Sequence, residues 1–573
     1  MSNSGPQQSE PVYGIRIERD VKVPMRDGVK LSANLFLPQA EGRFPVIFVR
    51  MPYGFDGFVV GEGDFYARRG YAYVIQDCRG RYDSEGKFYP FRDDGRDGYD
   101  SLDWICSQPW SNGRVGMFGP SYLGLVQWSL SVEGHPALKA MVPNVCPCDF
   151  WKRGFWCDGA FSLALTALWT CLEVSSRTSD LGLIPAYDLD RFFRHLPLRT
   201  LDTAAGRPCE FWQDFLAHAQ YDDYWESISV HHRFDQVAAP AFLMGGWYDY
   251  YAGEAFRSFC GLRDRAPGQA GARARIIIGP WSHLISQAPV LGEVDFGEHS
   301  HLDINKLALR WFDCLLKDLD TGILDEPPVT IFVMGINQWR QEHEWPLARA
   351  QSTDYYLHSS GSANSDINDG RLHTGPPDNE PPDRYAYDPD NPVPTLGGNH
   401  SICWGDAFHV IKPGPFDQRP VEARDDVLVY STPPLEEDME VTGPITLRLY
   451  AATDATDTDW TAKLVDVYPD GRAINLTEGI IRARFRESIY ERPKLLEPGK
   501  VYEYTVELQP TSNVFLKGHR IRLDITSSNF PLWDRNLNTG HDPATGTEMR
   551  VAHQAIHHSR NHPSRVRLPV IPA

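Results

Sequence analysis

The chain contains 573 residues, and at roughly 100–200 residues per domain it should fold as several domains. Hydrophobic residues make up 42% and charged residues 23% of the sequence, which is ordinary globular composition and excludes disorder as the main state. Its 56 basic and 76 acidic side chains give a net charge of −20. Because an acidic surface repels phosphate groups, we expect no nucleic-acid partner.

The sequence also argues against membrane attachment, secretion and bound cofactors. No apolar run reaches the ~18 residues of a transmembrane helix, and the polar first residues lack a signal sequence, so a cytoplasmic location is predicted. The ten scattered cysteines suit reduced thiols. Clusters of His and Asp at 299–303, 454–459 and 557–562 lack known ligand spacings, and no nucleotide-binding loop is present. We therefore predict no metal and no cofactor; a homodimer stays open.

The first part of the chain alternates predicted strands and helices. Residues 21–24 and 30–37 flank a turn at 26–28, which predicts a hairpin. Short apolar runs at 44–49, 72–75 and 115–118 are typical of strands buried on both faces, and 99–107 has helical spacing. This alternation indicates a doubly wound parallel sheet, assigned to residues 1–148.

The next segment, 149–238, has apolar residues at helical spacing and is predicted to be an inserted helical cap. The strand pattern then resumes at 241–246, 275–279 and 329–334, with a helix at 304–317. Residues 239–350 should therefore complete the α/β core.

The last part, 351–573, lacks predicted helices. Residues 360–400 are rich in Gly, Pro, Asp and Asn, which predicts a long loop region. Alternating short runs follow at 427–430, 445–450, 460–467, 501–508 and 521–525. Regularly spaced strands favour a β-sandwich or jelly roll. The predicted fold is therefore an α/β-hydrolase core with an inserted helical cap and a C-terminal all-β jelly-roll domain.

The segment 114–126 carries the first chemical signal. A buried strand runs through Gly119 and Pro120 into Ser121 and then into a helix-compatible run. A serine on such a turn is pushed outward at the carboxyl end of the sheet, where the helix N-terminus can stabilise an oxyanion. The usual pattern is G-x-S-x-G, whereas here Leu123 takes the second glycine position and Gly124 follows it. A helix cap is the alternative role of Ser121.

Two more candidates follow later strands. Asp249 comes just after the strand at 241–246, and His283 just after the strand at 275–279. Hydrolases of this class place Ser, then an acid, then His at the ends of successive strands, so a triad is predicted. Taken singly, Asp249 could cap the next helix and His283 could be an ordinary turn residue.

A triad also needs two donors for the oxyanion. The backbone N–H of Tyr122, the residue after the serine, is one. The other should come from a loop after an earlier strand, where Tyr53 offers a phenolic O–H. From spacing alone, Tyr53 is equally well explained as an aromatic side chain packed on the sheet edge.

Long segments of the chain resemble the bacterial cocaine esterase group of the X-Pro dipeptidyl-peptidase-like hydrolases. The matching segments are spread along the chain: RMPYG (50–54), VIQDCRGRYDSEG (74–86), RVGMFGPSYLG (114–124), GGWYD (245–249), IIGPWSH (277–283), FVMGINQWR (332–340), TDWTAKLVDVYPDGRAI (458–474) and SNFPLWDRNLNTG (528–540). The resemblance implies the same architecture, Ser121, Asp249 and His283 as the triad, and Tyr53 hydroxyl with Tyr122 amide as the oxyanion hole.

The resemblance also bears on the substrate. Related α-amino acid ester hydrolases carry acids soon after the catalytic Asp, whereas here Glu254 is the first acid after Asp249. Tyr251, Trp169 and Leu172 are candidates for an aromatic or alkyl acyl pocket, with cap packing as their alternative role. The family implies that segment 397–404 approaches this pocket.

The predicted function is a serine carboxylesterase acting on a small-molecule ester through an acyl-enzyme. An amidase, an X-Pro peptidase or an acyltransferase would use the same triad. The non-enzymatic alternative is a carbohydrate-binding or scaffold protein that works through its jelly roll and has a vestigial triad.

Overall fold

The computed structural model describes residues 8–55, 60–364, 369–402 and 411–572. The first part of the chain alternates strands with helices, as its apolar runs predict. Its elements are β1 (Ile15–Pro24), β2 (Lys30–Pro38), β3 (Phe44–Met51), α1 (Val60–Ala67), β4 (Ala72–Asp77), α2 (Asp94–Ser107), β5 (Ser111–Pro120), α3 (Tyr122–Ser131) and β6 (Leu138–Asn144).

The segment after β6 is built mainly of short helices and forms the cap. Its elements are α4 (Phe150–Arg153), β7 (Trp156–Cys157), β8 (Ala160–Phe161), α5 (Leu163–Ala167), a π-helical turn (Leu168–Glu173), α6 (Leu189–Phe193), α7 (Leu201–Ala204), α8 (Glu210–Ala217) and α9 (Asp223–Ile228). The small β7–β8 hairpin departs from the helical character predicted for this segment.

The chain then returns to the core. Its elements there are β9 (Phe242–Gly246), α10 (Ala252–Arg265), α11 (Gln269–Arg273), β10 (Arg275–Gly279), β11 (Val290–Leu291), β12 (Val294–Asp295), α12 (Ile304–Lys317), β13 (Val329–Val333) and β14 (Gln338–Glu342). The predicted strand at 275–279 and helix at 304–317 agree with β10 and α12 to the residue.

One ten-stranded sheet unites both parts of the core, in the order β1-β2-β4-β3-β5-β6-β9-β10-β13-β14. Neighbouring strands from β4 to β13 run parallel, and the outer pairs run antiparallel. Because parallel strands end at the same edge, the loops after β3, β5, β9 and β10 meet there. These four loops carry Tyr53, Ser121, Asp249 and His283.

The C-terminal part is an all-β domain, which confirms the predicted class. Its elements are β15 (Gln351–His358), β16 (Arg371–His373), β17 (Asp383–Tyr387), α13 (Arg419–Glu422), β18 (Leu428–Ser431), β19 (Met439–Thr453), β20 (Asp459–Val467), β21 (Ala473–Arg482), β22 (Tyr502–Phe515), β23 (Arg520–Thr526), β24 (Ala552–Ser559), β25 (His562–Pro563) and β26 (Arg565–Ile571). The finer jelly-roll assignment stays a prediction.

This domain differs from the sequence expectation in several places, and the strands β15, β21, β24 and β26 lie outside the predicted runs. The predicted loop region 360–400 contains β16, which pairs with the preceding strand β15, and β17, which pairs with the distant strand β24. A short helix, α13, also interrupts the strands. The domain boundaries predicted after residues 148, 238 and 350 stay predictions; none of them cuts a described helix or strand.

Within the described residues, no helix is both long and apolar enough to cross a membrane. The nine cysteines of that part of the chain are all free thiols.

Candidate active site

Ser121 lies on a strained turn between β5 and α3. Its φ of 55° and ψ of −120° are unusual for a residue with a side chain, and such strain is characteristic of functional turns. The Ser121 N–H donates to the Asn144 carbonyl on β6 at 2.9 Å, which holds the turn against the neighbouring strand. The Ser121 side chain makes no capping bond to α3, so the helix-cap alternative has no support.

Two glycines explain the unusual motif around Ser121. Gly119 has a φ of +142°, and a Cβ there would lie 2.5 Å from the Leu123 Cβ. A Cβ at Gly124 would lie 2.7 Å from Cys146 Sγ. The second glycine therefore stands where α3 approaches the end of β6, while Leu123 packs over Gly119.

The structure brings Asp249 and His283 together. Asp249 is fully buried, and His283 Nδ1 lies 2.8 Å from Asp249 Oδ1. The other carboxylate oxygen accepts the Tyr251 N–H at 3.2 Å. The bond from Tyr248 N–H to the Trp281 carbonyl, 2.9 Å long, joins the two loops beside this pair. When the Nδ1–H of His283 donates to this carboxylate, Nε2 is the ring nitrogen left to accept a proton.

The β domain contributes to the same pair through segment 397–402. Ser401 Oγ lies 3.3 Å from Asp249 Oδ1, and Asn399 Nδ2 donates to the Trp247 carbonyl. Burial above all, and also the charge that His283 can carry, lowers the pKa of His400 to about 3. His400 is therefore neutral beside His283. Residues 403–404 of the segment expected near the pocket lie outside the described residues.

Tyr53 is held at the end of β3. Its hydroxyl oxygen accepts a hydrogen bond from Trp169 Nε1 in the cap at 3.1 Å. The carbonyl of the preceding residue, Pro52, accepts from Arg81 Nε at 2.6 Å. Tyr122 begins α3, so its backbone N–H has no acceptor within the helix. The Tyr53 and Tyr122 rings lie 6.4 Å apart.

The Tyr122 side chain is anchored below the turn by Asp94, the first residue of α2. Its hydroxyl donates to Asp94 Oδ2 at 2.6 Å, and burial raises the Tyr122 pKa well above its ordinary value, so the proton stays on the phenol. The same carboxylate oxygen accepts the Phe91 N–H at 3.1 Å. The fully buried Arg50 on β3 lies 3.4 Å from Asp94 Oδ1. The charge of Asp94 is thus balanced from the strand that leads to Tyr53.

A small aromatic pocket opens beside Ser121. Trp169 and Tyr251 line it, whereas Leu172, 2% exposed, lies in the cap and is not part of its wall. The Tyr251 ring also lies 5.8 Å from the His283 ring, so one side chain contacts both the pocket and the Asp249–His283 pair. Ser121, Tyr53 and Tyr122, predicted for the catalytic steps, also line it. No local sequence signal indicated the remaining lining residues, which are Phe91, Leu125, Phe150, Gly154, Phe155 and Leu165.

Glu254, the first acid after Asp249, is occupied by structural contacts. It accepts the backbone N–H groups of Cys148 and Asp149 at 3.1 and 3.0 Å and lies 3.4 Å from Arg257. It therefore fixes the start of the cap to α10. It is 3% exposed and is absent from the wall of the aromatic pocket.

The remaining acidic and histidine clusters have structural partners. Asp457 and Asp459 pair with Arg484 and Arg482, and His558 lies between Asp383 and Glu380. Across the part of the chain that the structure describes, no three His, Cys, Asp or Glu side chains are placed to hold a metal ion.

Comparison with known proteins places the chain in a family. Residues 27–285 match the X-Pro dipeptidyl-peptidase (S15) family, and residues 321–567 match the X-Pro dipeptidyl-peptidase C-terminal non-catalytic domain. A cocaine esterase from Rhodococcus sp. (strain MB1 Bresler) is 41% identical over 97% of this chain and 98% of that protein. The chain belongs to the X-Pro dipeptidyl-peptidase (S15) family of hydrolases and is cocaine esterase-like, as its sequence segments predict.

Two solved structures share the whole architecture. An aminopeptidase from a marine sediment Thaumarchaeota archaeon is 29% identical, with a TM-score of 0.83 over 100% of this chain and 99% of that one. An α-amino acid ester hydrolase is 27% identical, also with a TM-score of 0.83, over 98% of each chain. The predicted three-part fold is thus confirmed as that of this hydrolase family.

Proposed function

We propose that the protein is a serine carboxylesterase that cleaves small esters of aromatic or alkyl carboxylic acids through an acyl-enzyme. The observation that carries the proposal is Ser121 on its strained turn, beside an aromatic pocket and on the sheet edge that bears the bonded His283–Asp249 pair. The similarity to a cocaine esterase supports ester hydrolysis.

In the proposed mechanism, His283 Nε2 takes the proton of Ser121 as Oγ attacks the ester carbonyl. Asp249 holds the imidazole by its Nδ1 proton and stabilises the imidazolium that forms. The Tyr122 N–H and the Tyr53 O–H stabilise the tetrahedral oxyanion. The imidazolium then protonates the leaving alcohol. In the second half of the reaction, His283 takes a proton from water as the water attacks the acyl-enzyme carbonyl. The imidazolium then returns a proton to Ser121 Oγ as the carboxylic acid leaves.

The acyl group is proposed to sit among Trp169, Tyr251 and their aromatic neighbours. Glu254, the acid nearest in sequence to Asp249, is bonded to Cys148, Asp149 and Arg257 rather than exposed to this pocket. This favours uncharged acyl groups over α-amino acyl groups. Leu172 is proposed to support Trp169 from within the cap. A cytoplasmic location and homodimer formation stay predictions.

Two experiments test the proposal: labelling of the wild-type protein with a fluorophosphonate probe, and kinetics of the Ser121→Ala variant. We expect the probe to label Ser121 and the variant to lose about 10⁶-fold in kcat on p-nitrophenyl esters of graded acyl length. A variant that keeps more than a few per cent of wild-type turnover would overturn Ser121 as nucleophile. Faster cleavage of X-Pro p-nitroanilides than of any ester would instead favour the peptidase alternative.

A further inference from the structure

Trp169 does more than line the acyl pocket. Its indole N–H donates to the hydroxyl oxygen of Tyr53 at 3.1 Å. An indole N–H can only donate, whereas a phenol oxygen can donate and accept at once. In this bond the Tyr53 oxygen acts as the acceptor, so the bond does not use the Tyr53 O–H as a donor.

The Trp169 indole is held rigidly in this position. Its ring stacks on Phe155 at 5.7 Å and on Tyr122 at 6.0 Å, and only 8% of the residue is exposed. It lies on the π-helical turn Leu168–Glu173, a type of irregularity often found at functional sites.

A second contact ties the same turn to the same loop. The fully buried Arg81 donates to the Pro52 carbonyl, one residue before Tyr53, at 2.6 Å. Arg81 also donates to the carbonyls of Glu173 and Val174 at the end of the turn, at 3.1 and 3.2 Å. Arg81 therefore links the loop to the cap through backbone carbonyls of both. Trp169 links them through the hydroxyl of the Tyr53 side chain.

We infer that Trp169 is a positioning residue for the reaction: its N–H fixes and polarises the Tyr53 hydroxyl that stabilises the oxyanion. Accepting one hydrogen bond makes a hydroxyl a stronger donor in the next. Because the oxyanion develops only in the transition state, this bond should act on kcat. The Trp169 ring, in contrast, contacts the bound acyl group and should act on KM. The inference rests on the proposed role of Tyr53 in the oxyanion hole.

A double-mutant cycle separates the two roles of Trp169. The variants are Tyr53→Phe, Trp169→Phe and the double variant, measured on an ester for which acylation is rate-limiting. Tyr53→Phe should lower kcat by about 10²–10³-fold. Trp169→Phe alone should lower kcat by about tenfold, the worth of one hydrogen bond. In the Tyr53→Phe background the same change should lower kcat less than about twofold, because its acceptor is gone. KM should rise equally in both backgrounds.

Leu125→Ala is the matched control for this cycle. Leu125 lines the same pocket from α3 rather than from the cap, so its effects should combine additively with those of Tyr53→Phe. If Trp169→Phe does not fold, benzothienylalanine at position 169 removes the N–H while keeping the ring shape, and the same cycle applies.

The outcomes distinguish the inference from the proposed function. Equal losses of kcat from Trp169→Phe in both backgrounds, or no loss in the wild-type background, would overturn the positioning role. If Tyr53→Phe keeps wild-type kcat while Ser121→Ala is inactive, the protein is a serine hydrolase whose oxyanion hole lies elsewhere, and the inference fails with it.

Discussion

Ser401 of the β domain lies within hydrogen-bond distance of Asp249 of the α/β core, with 3.3 Å between Oγ and Oδ1. That oxygen also accepts from His283, so one carboxylate atom joins two domains. Both Ser401 and Asp249 are buried, at 3% and 0% exposure. The β domain thus supplies a donor to the acid of the proposed triad rather than only a surface beside it.

Ser401→Ala should slow the reaction without stopping it. A hydrogen bond of this kind contributes about 0.5–1.5 kcal/mol, which corresponds to about a 2–12-fold loss of kcat/KM if it acts in the transition state. Steady-state kinetics with titrated active sites measure the loss. Ser564→Ala is the control, since Ser564 is a buried serine of the same domain bonded to His557 and Tyr450. Unchanged kcat/KM in Ser401→Ala would show that the contact has no catalytic role.

Tyr122→Phe should reduce both stability and rate. The lost hydroxyl donates to a buried carboxylate, and such bonds contribute about 1.5–3 kcal/mol to the free energy of unfolding. We expect kcat to fall several-fold as well, because the backbone N–H of the same residue is the proposed oxyanion donor. Urea unfolding and kinetics on the same preparation measure both effects.

Tyr66→Phe is the matched comparison for Tyr122→Phe. Tyr66 is equally buried, but its hydroxyl has no hydrogen-bond partner among the described residues. Removing that hydroxyl should therefore leave the free energy of unfolding unchanged or raise it. Equal destabilisation by the two variants would contradict the assigned role of Asp94.

Gly124→Ala should disturb the turn that carries Ser121. The new Cβ would lie 2.7 Å from Cys146 Sγ and 3.2 Å from the Asn144 carbonyl oxygen, and overpacking of this kind costs about 1–3 kcal/mol of stability. We expect kcat to fall with it. Adding Cys146→Ala should recover part of both losses by removing the sulfur. Gly61→Ala, where a Cβ meets nothing within 4 Å, is the control.

The buried His558 should make stability depend on pH. Burial lowers its pKa, but its bond to Asp383 and the charges of Asp383 and Glu380 outweigh burial and raise the pKa above the ordinary value. A raised pKa means that the charged form stabilises the fold at pH below about 6.5, and that this contribution is lost as pH rises through the folded-state pKa. At pH 6 the wild type should have a higher Tm than His558→Gln, and this difference in Tm should shrink as the pH is raised to 9. A difference that stays constant or grows would contradict this assignment; His553→Gln, at an exposed position, is the control.

The α/β core could be predicted because its signals are local. Buried parallel strands are short apolar runs, and Ser121, Asp249 and His283 each directly follow one of them. β6 was missed, since Lys139 and Pro143 interrupt its apolar residues. The predicted helix at 99–107 begins earlier, at Asp94, where the glycines at 95 and 98 weaken the helical pattern.

The support around the site could not be predicted, because its contacts join distant residues. Ser401 reaches Asp249 from 152 residues away, and Trp169 reaches Tyr53 from 116 residues away. Arg81 donates to backbone carbonyls, and Asp94 accepts from the Tyr122 hydroxyl. No local sequence pattern indicates either contact. The strand β17 belongs to the same case, since its pairing partner, β24, lies far along the chain.

The contact between Ser401 and Asp249 has a consequence for folding. The backbone at Asn399 is held by Glu478 on β21, and the sheet that contains β21 is completed by β26, which pairs with β15 and β19. Along the chain, β26 comes after Ser121, Asp249 and Ser401. We therefore expect a folding chain to form the turn that carries its nucleophile before its acid–base pair has all its contacts, and to reach full hydrolytic rate only once β26 has joined the sheet.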